Sequence, residues 1–414
     1  MQPDEVTALG EIAGEAIAGV AGQARDLHEG IAQRVFTSIG PTAQPVRAFH
    51  DTISSNAYKL VHRSLKNAAR SGARALSAST PPDSPSVQRS TAARMAIGAL
   101  NGAFGDTLEQ QANALALTMT LRNRGEDVEL TRASLRRAYP DATGRLVIFT
   151  HGLCETDDAW RFADERHVPY GMRLRVELGF TPLYIRYNTG RHISENGREL
   201  AKLIDRLTAE WPTEIHEIAL IGHSMGGLVA RSACHYASGH IWPRKVRHVF
   251  TLGSPHTGAP LERATNRASH ALSRLPETRT FAKLLNRRSV GIKDLRYGYL
   301  TDDCWSGQDP DAYLRNTGRE VPFLPTANHY FVCATLNEPF GRLVGDMLVM
   351  RASAWGQTRR GERMRFPVDH YRHFSGVNHL QLLNHPGVYD QIRKWLAPRK
   401  ALSAPTRELP ATTG

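Results

Sequence analysis

The feature that most restricts how this 414-residue chain can fold is a series of five short apolar runs after Gly144: Leu146–Thr150, Leu183–Tyr187, Ile215–Ile221, Val246–Leu252 and Tyr330–Leu336. Each is of strand length and carries too few polar positions to leave one face in water, the pattern of strands covered on both sides. Between the second and third runs, Leu200, Leu203, Ile204 and Leu207 form one stripe of a helix spanning about Ser194 to Glu210. Parallel neighbours need such a crossover, because no tight turn can return the chain to the same end of the sheet. The segment therefore predicts an α/β domain with a mostly parallel sheet flanked by helices.

The chain before Gly144 has a different period. Leu9, Ile12, Ala16, Val20, Ala24, Leu27, Ile31 and Val35 recur at steps of three or four, and Phe49, Ile53, Leu60, Val61 and Leu65 continue the pattern after Pro45. These spacings predict amphipathic helices over 1–76. A Ser- and Pro-rich stretch over 77–92 reads as a linker. A third helix is expected from about Ala93 to Arg122, interrupted by Gly102 and Gly105, so that 93–142 forms a helical lead into the core. The α/β domain then occupies 143–397, with an insertion lacking strand patterns at about 258–327, and the polar tail 398–414 is expected to be disordered. Small residues dominate the apolar face of the first helices. They suit packing on one another or on the core, and a lipid surface is the sharper alternative.

Composition narrows the classes. An apolar fraction of 41% and a charged fraction of 22% are those of a globular protein, and no segment approaches the length of a membrane-spanning helix. The opening Met1-Gln2-Pro3-Asp4-Glu5 lacks the basic start and apolar run of a secretory signal, so a cytoplasmic location is expected, with contact at a membrane or lipid surface as its variant. Cys154, Cys234, Cys304 and Cys333 are scattered, which predicts neither a zinc site nor a disulfide scaffold. The net charge of +12 fits a solvated basic surface. No basic motif with interleaved aromatics accompanies it, so nucleic acid is not an expected partner.

The chemistry is concentrated where the third apolar run ends. Gly222-His223-Ser224-Met225-Gly226-Gly227 follows directly and leads into the helix-permissive Leu228-Val229-Ala230-Arg231. A serine hydroxyl is a weak nucleophile unless it is presented on a sharp strand-to-helix turn beside a base, and small residues two positions either side allow that turn. Gly222 and Gly226 meet the requirement, Ser224 is the candidate nucleophile, and the Met225 N–H at the helix start is a candidate oxyanion donor. The second donor should follow an earlier strand. His151-Gly152-Leu153 after Leu146–Thr150 offers the Leu153 N–H.

With these segments, and with Leu252-Gly253-Ser254-Pro255-His256-Thr257-Gly258 after the next strand, the chain resembles the bacterial true lipases and related lipase-like α/β-hydrolases. The resemblance implies an α/β-hydrolase fold with a helical cap and the chain order nucleophile, acid, histidine. Gly345-Asp346-Met347-Leu348-Val349 resembles the lipases' Asp-Gly-Leu-Val segment, although Met347 replaces a glycine, and implies Asp346 as the acid. Asp302, Asp303 and Asp369 compete, but the first two precede the fifth strand and the third lies where the last strand begins. Asn378-His379-Leu380 resembles the segment that carries the lipases' base and implies His379, ahead of His370 and of His373, which would lie within the strand. Calcium-dependent lipases carry an aspartate two residues after that histidine. Here the position is Gln381, so their calcium is not carried over, and neither a metal nor a cofactor is expected.

The implied activity is serine-dependent hydrolysis of carboxylic esters, preferably lipid or acylglycerol esters. A thioesterase, amidase or acyltransferase on the same triad is the alternative, and a lipid-surface binding protein with an inactive hydrolase fold is a further one. From Thr257 to Leu300 the insertion has nine basic residues and three acidic ones, with Leu261, Leu272, Leu275, Phe281, Leu284 and Leu285 at helix-like spacings. Such a cap suits either a lid that opens at a lipid surface or an ordinary cover for a small ester.

Overall fold

The computed structural model describes residues 1–15, 66–81, 83–84, 86–161, 168–274, 279–335 and 367–397, with 59, 63 and 353 singly. The helical pattern expected over 16–58, Leu275 of the insertion, Asp346 and the tail 398–414 lie outside these residues.

All five apolar runs form strands of one eight-stranded sheet. They are β3 (Arg145–Thr150), β4 (Thr181–Arg186), β5 (Glu217–His223), β6 (Val246–Leu252) and β7 (Asn328–Thr335), joined by a short β8 (Tyr371–Ser375). Neighbours from β4 to β8 pair in parallel, in the order β4-β3-β5-β6-β7-β8. Alternate side chains enter two cores. Leu146, Ile148, Ile218 and Leu220 pack in one cluster with Leu200, Ile204 and Leu228, whereas Val147, Phe149, Ala219 and Ile221 pack in another with Leu174, Tyr389 and Ile392. The crossover helix is Ile193–Glu210, and the helix after Ser224 is Met225–His235; helices Tyr170–Leu178 and Pro386–Leu396 cover the opposite face.

The expectation of a helix to about Arg122, within an all-helical region 93–142, requires correction. A helix, α1, runs Thr91–Gln110, and Ala112 turns away from it at φ 50°. A hairpin follows, β1 (Thr120–Asn123) and β2 (Glu126–Val128), and β1 adds antiparallel to β4, the outermost of the parallel strands on that side. Its two-residue loop places Arg124 at φ 51° and Gly125 at φ 86°, the positive-φ pair that tight hairpins need. The strands are polar because charge holds them: Arg122 Nη1 donates to Asp127 Oδ1 at 2.5 Å, and Arg186 Nη2 to both Asp127 oxygens at 3.1 Å. An ionic edge of this kind has no apolar alternation to read.

The helix α1 is part of the α/β body. Arg94 grips Asp158 with Nε–Oδ2 at 2.6 Å and Nη2–Oδ1 at 3.1 Å, both side chains buried. Asn188 Nδ2 donates to the Gly105 carbonyl at 2.9 Å, and Ser289 Oγ of the insertion to the Gly102 carbonyl at 2.6 Å. Residues 3–15 are helical and pack on α1, with Ala8 in a small cluster with Ile97, Leu115 and Leu117. From the Ser- and Pro-rich stretch, Ser77 Oγ donates to the Pro3 carbonyl at 2.7 Å. Among the described residues no helix is long and apolar enough to cross a membrane.

Candidate active site

Strand β5 delivers Ser224 at the C-terminal edge of the sheet. Its backbone lies at φ 52°, ψ −122°, a region that side-chain-bearing residues avoid and that costs about 1–3 kcal/mol. Neighbouring strands hold it there: the Ser224 N–H donates to the Leu252 carbonyl at 2.8 Å, and the Gly227 N–H closes the turn on the Ser224 carbonyl at 3.1 Å. The flanking glycines are required by space. A Cβ on Gly222 would lie 2.4 Å from the Gly227 nitrogen, and one on Gly226 would lie 2.3 Å from the Thr150 oxygen. Met225 is the first residue of the following helix, so its N–H lacks an acceptor four residues back in the helix.

The loop after β3 comes alongside. Thr150 pairs with Gly222 across β3 and β5, and two residues later Gly152 passes so close to the serine that a Cβ there would be 3.1 Å from Ser224 Cβ. Leu153 follows half-buried, and the loop is shaped by Cys154 at φ 63° with its N–H donating to Thr189 Oγ1 at 3.2 Å. His151 underpins the loop. Its Nδ1 bonds the Gly152 carbonyl at 3.0 Å, its Nε2 accepts the Tyr187 N–H at 3.3 Å, and burial drives its pKa down to about 4, so it is a neutral structural group.

His379, after β8, arrives at the same edge. It is buried, its ring centroid lies 4.7 Å from that of His223, and a Cβ on Gly253 would be 3.0 Å from its Cε1. The structure thus brings together Ser224, the Gly152-Leu153 loop, Met225 and His379, with Asp346 outside the described residues. The competing groups are elsewhere. His373 lies within β8 and bonds Thr335 Oγ1 at 2.9 Å, and His370 Nδ1 bonds the His329 carbonyl at 3.1 Å before β8 starts. Asp302 accepts from Ser194 Oγ and Arg198, and Asp303 pairs with Arg319, all remote in the chain from Ser224. Asp369, in the turn before β8, accepts from Trp395 Nε1 through its carbonyl.

One participant was missed from the sequence. Glu155 Oε2 accepts the Gly152 N–H at 2.6 Å and stands 3.1 Å from His223 Nδ1. Burial pushes this carboxyl up, but the charge and hydrogen bond of His223, with the Gly152 N–H, outweigh it and hold the group down at about 2. The available signal was a carboxylate three residues beyond Gly152, paired with a histidine directly before the candidate nucleophile. The Gly253–Gly258 turn is likewise anchored by charge and hydrogen bonding: Arg231 Nη1 meets His256 Nδ1 at 3.1 Å, and His256 Nε2 donates to Thr251 Oγ1 at 3.1 Å. No group of three or more potential metal ligands occurs among the described residues.

Residues 141–310 match the family described as the PGAP1-like alpha/beta domain. The matched stretch lies within the mostly parallel eight-stranded α/β sheet. Solved structures similar to this chain include Bacillus licheniformis lipase BlEst2 in mature form, 17% identical over 61% of this chain and 92% of that chain, with a TM-score of 0.40. The propeptide form of that lipase is 18% identical over 63% of this chain, with a TM-score of 0.43, and this chain spans 53% of its length. Est1E from Butyrivibrio proteoclasticus is 15% identical over 61% of this chain and 86% of that chain, with a TM-score of 0.34. No curated protein matches the chain.

Proposed function

We propose that the hydrolase cleaves carboxylic esters through an acyl-enzyme on Ser224. His379 takes the hydroxyl proton as Oγ attacks the ester carbonyl, and the N–H groups of Leu153 and Met225 donate hydrogen bonds to the developing oxyanion. The proton passes from His379 to the leaving alcohol as the C–O bond breaks. Water, deprotonated by His379, then attacks the acyl group, and the acid leaves as Ser224 regains its proton. In this reading Asp346 fixes the His379 tautomer and stabilises the imidazolium.

The observation that carries the reading is the strained Ser224 backbone, φ 52° and ψ −122°, between a buried strand and a helix. Strain of that kind persists where a fold over-determines it, and here it lifts one hydroxyl to the edge at which His379 and the Gly152-Leu153 loop arrive. Hydrolysis of p-nitrophenyl esters, with fluorophosphonate labelling mapped by mass spectrometry, tests it. Wild type should be active and labelled on Ser224, and Ser224→Ala neither. Equal turnover in the two proteins would overturn the assignment.

Lipid or acylglycerol esters are the preferred substrate class, on the strength of the cap helix Pro260–Ser273. Its buried stripe is polar: Glu262 binds Arg288 Nη2 at 2.7 Å and Arg296 Nη2 at 3.0 Å, and Asn266 Oδ1 accepts the Leu314 N–H at 3.0 Å. Leu261, 62% exposed, and Arg267 are also exposed on this helix, as is Arg274 at its C-terminal cap. Leucine and arginine together on an outer face suit a lipid–water boundary. The described N-terminal helix, 3–15, uses part of its apolar face on α1, so the lipid contact is assigned to the cap. Flotation with anionic liposomes should fall when Arg267 and Arg274 are both changed to Glu, and unchanged flotation would remove the cap from this role.

A further inference from the structure

The loop that carries the Leu153 N–H, the turn that carries Ser224 and the loop that carries His379 come from three separate segments, and one charged chain of contacts crosses all three. Glu155 Oε2 accepts the Gly152 N–H at 2.6 Å. The same oxygen stands 3.1 Å from His223 Nδ1, and His223 Nε2 stands 3.1 Å from the carbonyl oxygen of His379. The His223 side chain is fully buried and that of Glu155 is 14% exposed. A carboxylate whose oxygen already takes an amide proton, and a carbonyl, are both acceptors, so His223 fills both contacts only when each ring nitrogen bears a proton. The ring is then an imidazolium, paired with Glu155 in a site where such bonds are charge-assisted and short of water.

We propose that Glu155 is a positioning residue for acyl transfer: through the His223 imidazolium it locks the oxyanion loop and the His379 loop in register on either side of Ser224. This rests on the reading of Ser224 as nucleophile. The carboxylate is itself no proton carrier in the reaction, since its contacts hold it ionised down to about pH 2 against the upward push of burial. Among the described residues the titratable groups around His223 are Glu155 and His151 from the loop after β3 and His379 after β8. Burial lowers the pKa of His151 to about 4, so that ring brings no positive charge to compete with His223 for Glu155.

The same strand supplies a control. At its other end Glu217 Oε1 meets His248 Nε2 at 3.2 Å, a second carboxylate–histidine contact about 20 Å from His223 along six strand steps. The experiment compares kcat and KM for p-nitrophenyl butyrate in wild type, Glu155→Gln and Glu217→Gln, with melting curves on each. Glu155→Gln is expected to lower kcat by about 10- to 100-fold, the scale of a misplaced reacting group, with KM within about twofold. Glu217→Gln is expected to keep kcat. An unchanged kcat in Glu155→Gln, or an equal fall in both variants, overturns the proposal. A second measurement needs no variant to be active: nitrogen NMR of histidine-labelled wild type at pH 8 should show a doubly protonated ring, assigned by its loss in His223→Gln. A neutral His223 in the wild type overturns the proposal whether or not Glu155→Gln folds. Wild type that neither turns over ester nor labels at Ser224 refutes the proposed function itself, a result distinct from active wild type with an indifferent Glu155.

Discussion

Changing Ser224 to alanine and to glycine removes the same hydroxyl, so any stability difference between the two variants reports on the backbone alone. Alanine keeps a Cβ at φ 52°, ψ −122° and retains the strain, about 1–3 kcal/mol. Glycine relieves it, but loses about 0.5–1 kcal/mol through the greater freedom of its unfolded chain. The balance favours Ser224→Gly over Ser224→Ala by about 0.5–2 kcal/mol, which for a domain of this size is a rise of about 1–8 °C in Tm. Urea unfolding of the two inactive proteins measures it, and comparable slopes would place the effect in the folded state. A glycine variant no more stable than the alanine variant would refute the idea that the turn is strained, and with it the structural support for Ser224 as a presented nucleophile.

Other perturbations reach the supports of the site. Gly226→Ala places a methyl 2.3 Å from the Thr150 carbonyl oxygen, so the helix start must move; stability should drop by about 1–3 kcal/mol in urea and kcat by more than tenfold as the Met225 N–H shifts. Arg94→Met strands Asp158, whose side chain is 7% exposed, and should cost about 3–5 kcal/mol, much of it recovered in Arg94→Met/Asp158→Leu; no recovery would argue against a buried pair. Acid titration of stability reads Glu155. Its folded pKa of about 2 lies below its ordinary value of 4.5, so its contribution is present above pH 4.5 and lost as pH falls towards 2, and wild type should lose more stability across that window than Glu155→Gln. Parallel acid profiles in the two proteins would contradict this.

Strands β3 to β7 could be read in the sequence because a strand covered on both faces has to be apolar throughout, and Val147-Ile148-Phe149 or Ala219-Leu220-Ile221 admit few other readings. The hairpin at 120–128 could not. Its strands are held by Arg122, Arg186 and Asp127, charges whose partners come from a strand roughly sixty residues away, and composition reports no such pairing. The Gly-x-Ser-x-Gly turn was legible because its glycines answer a local steric need, visible within five residues. Glu155 was not, because its meaning depends on the β3–β5 register that sets the loop after Thr150 beside His223.

That register explains why residues from four loops meet at one edge. Thr150 lies opposite Gly222, His223 opposite Leu252, Leu252 opposite Val332, and Thr335 opposite Ser375, so each parallel strand ends within a few residues of its neighbour at the same side of the sheet. Parallel pairing alone brings the loops to one edge, but it leaves each loop free to adopt its own shape. What then distinguishes this edge is the set of polar ties between loops: Ser224 N–H to Leu252, Thr150 Oγ1 to the Gly226 carbonyl at 3.0 Å, and Glu155 through His223 to His379. The first two are single hydrogen bonds within reach of neighbouring strands. The third spans from β3 across β5 to the loop after β8 with a buried ion pair at its centre, so neutralising either member should loosen the loops on both sides of Ser224 together rather than one of them.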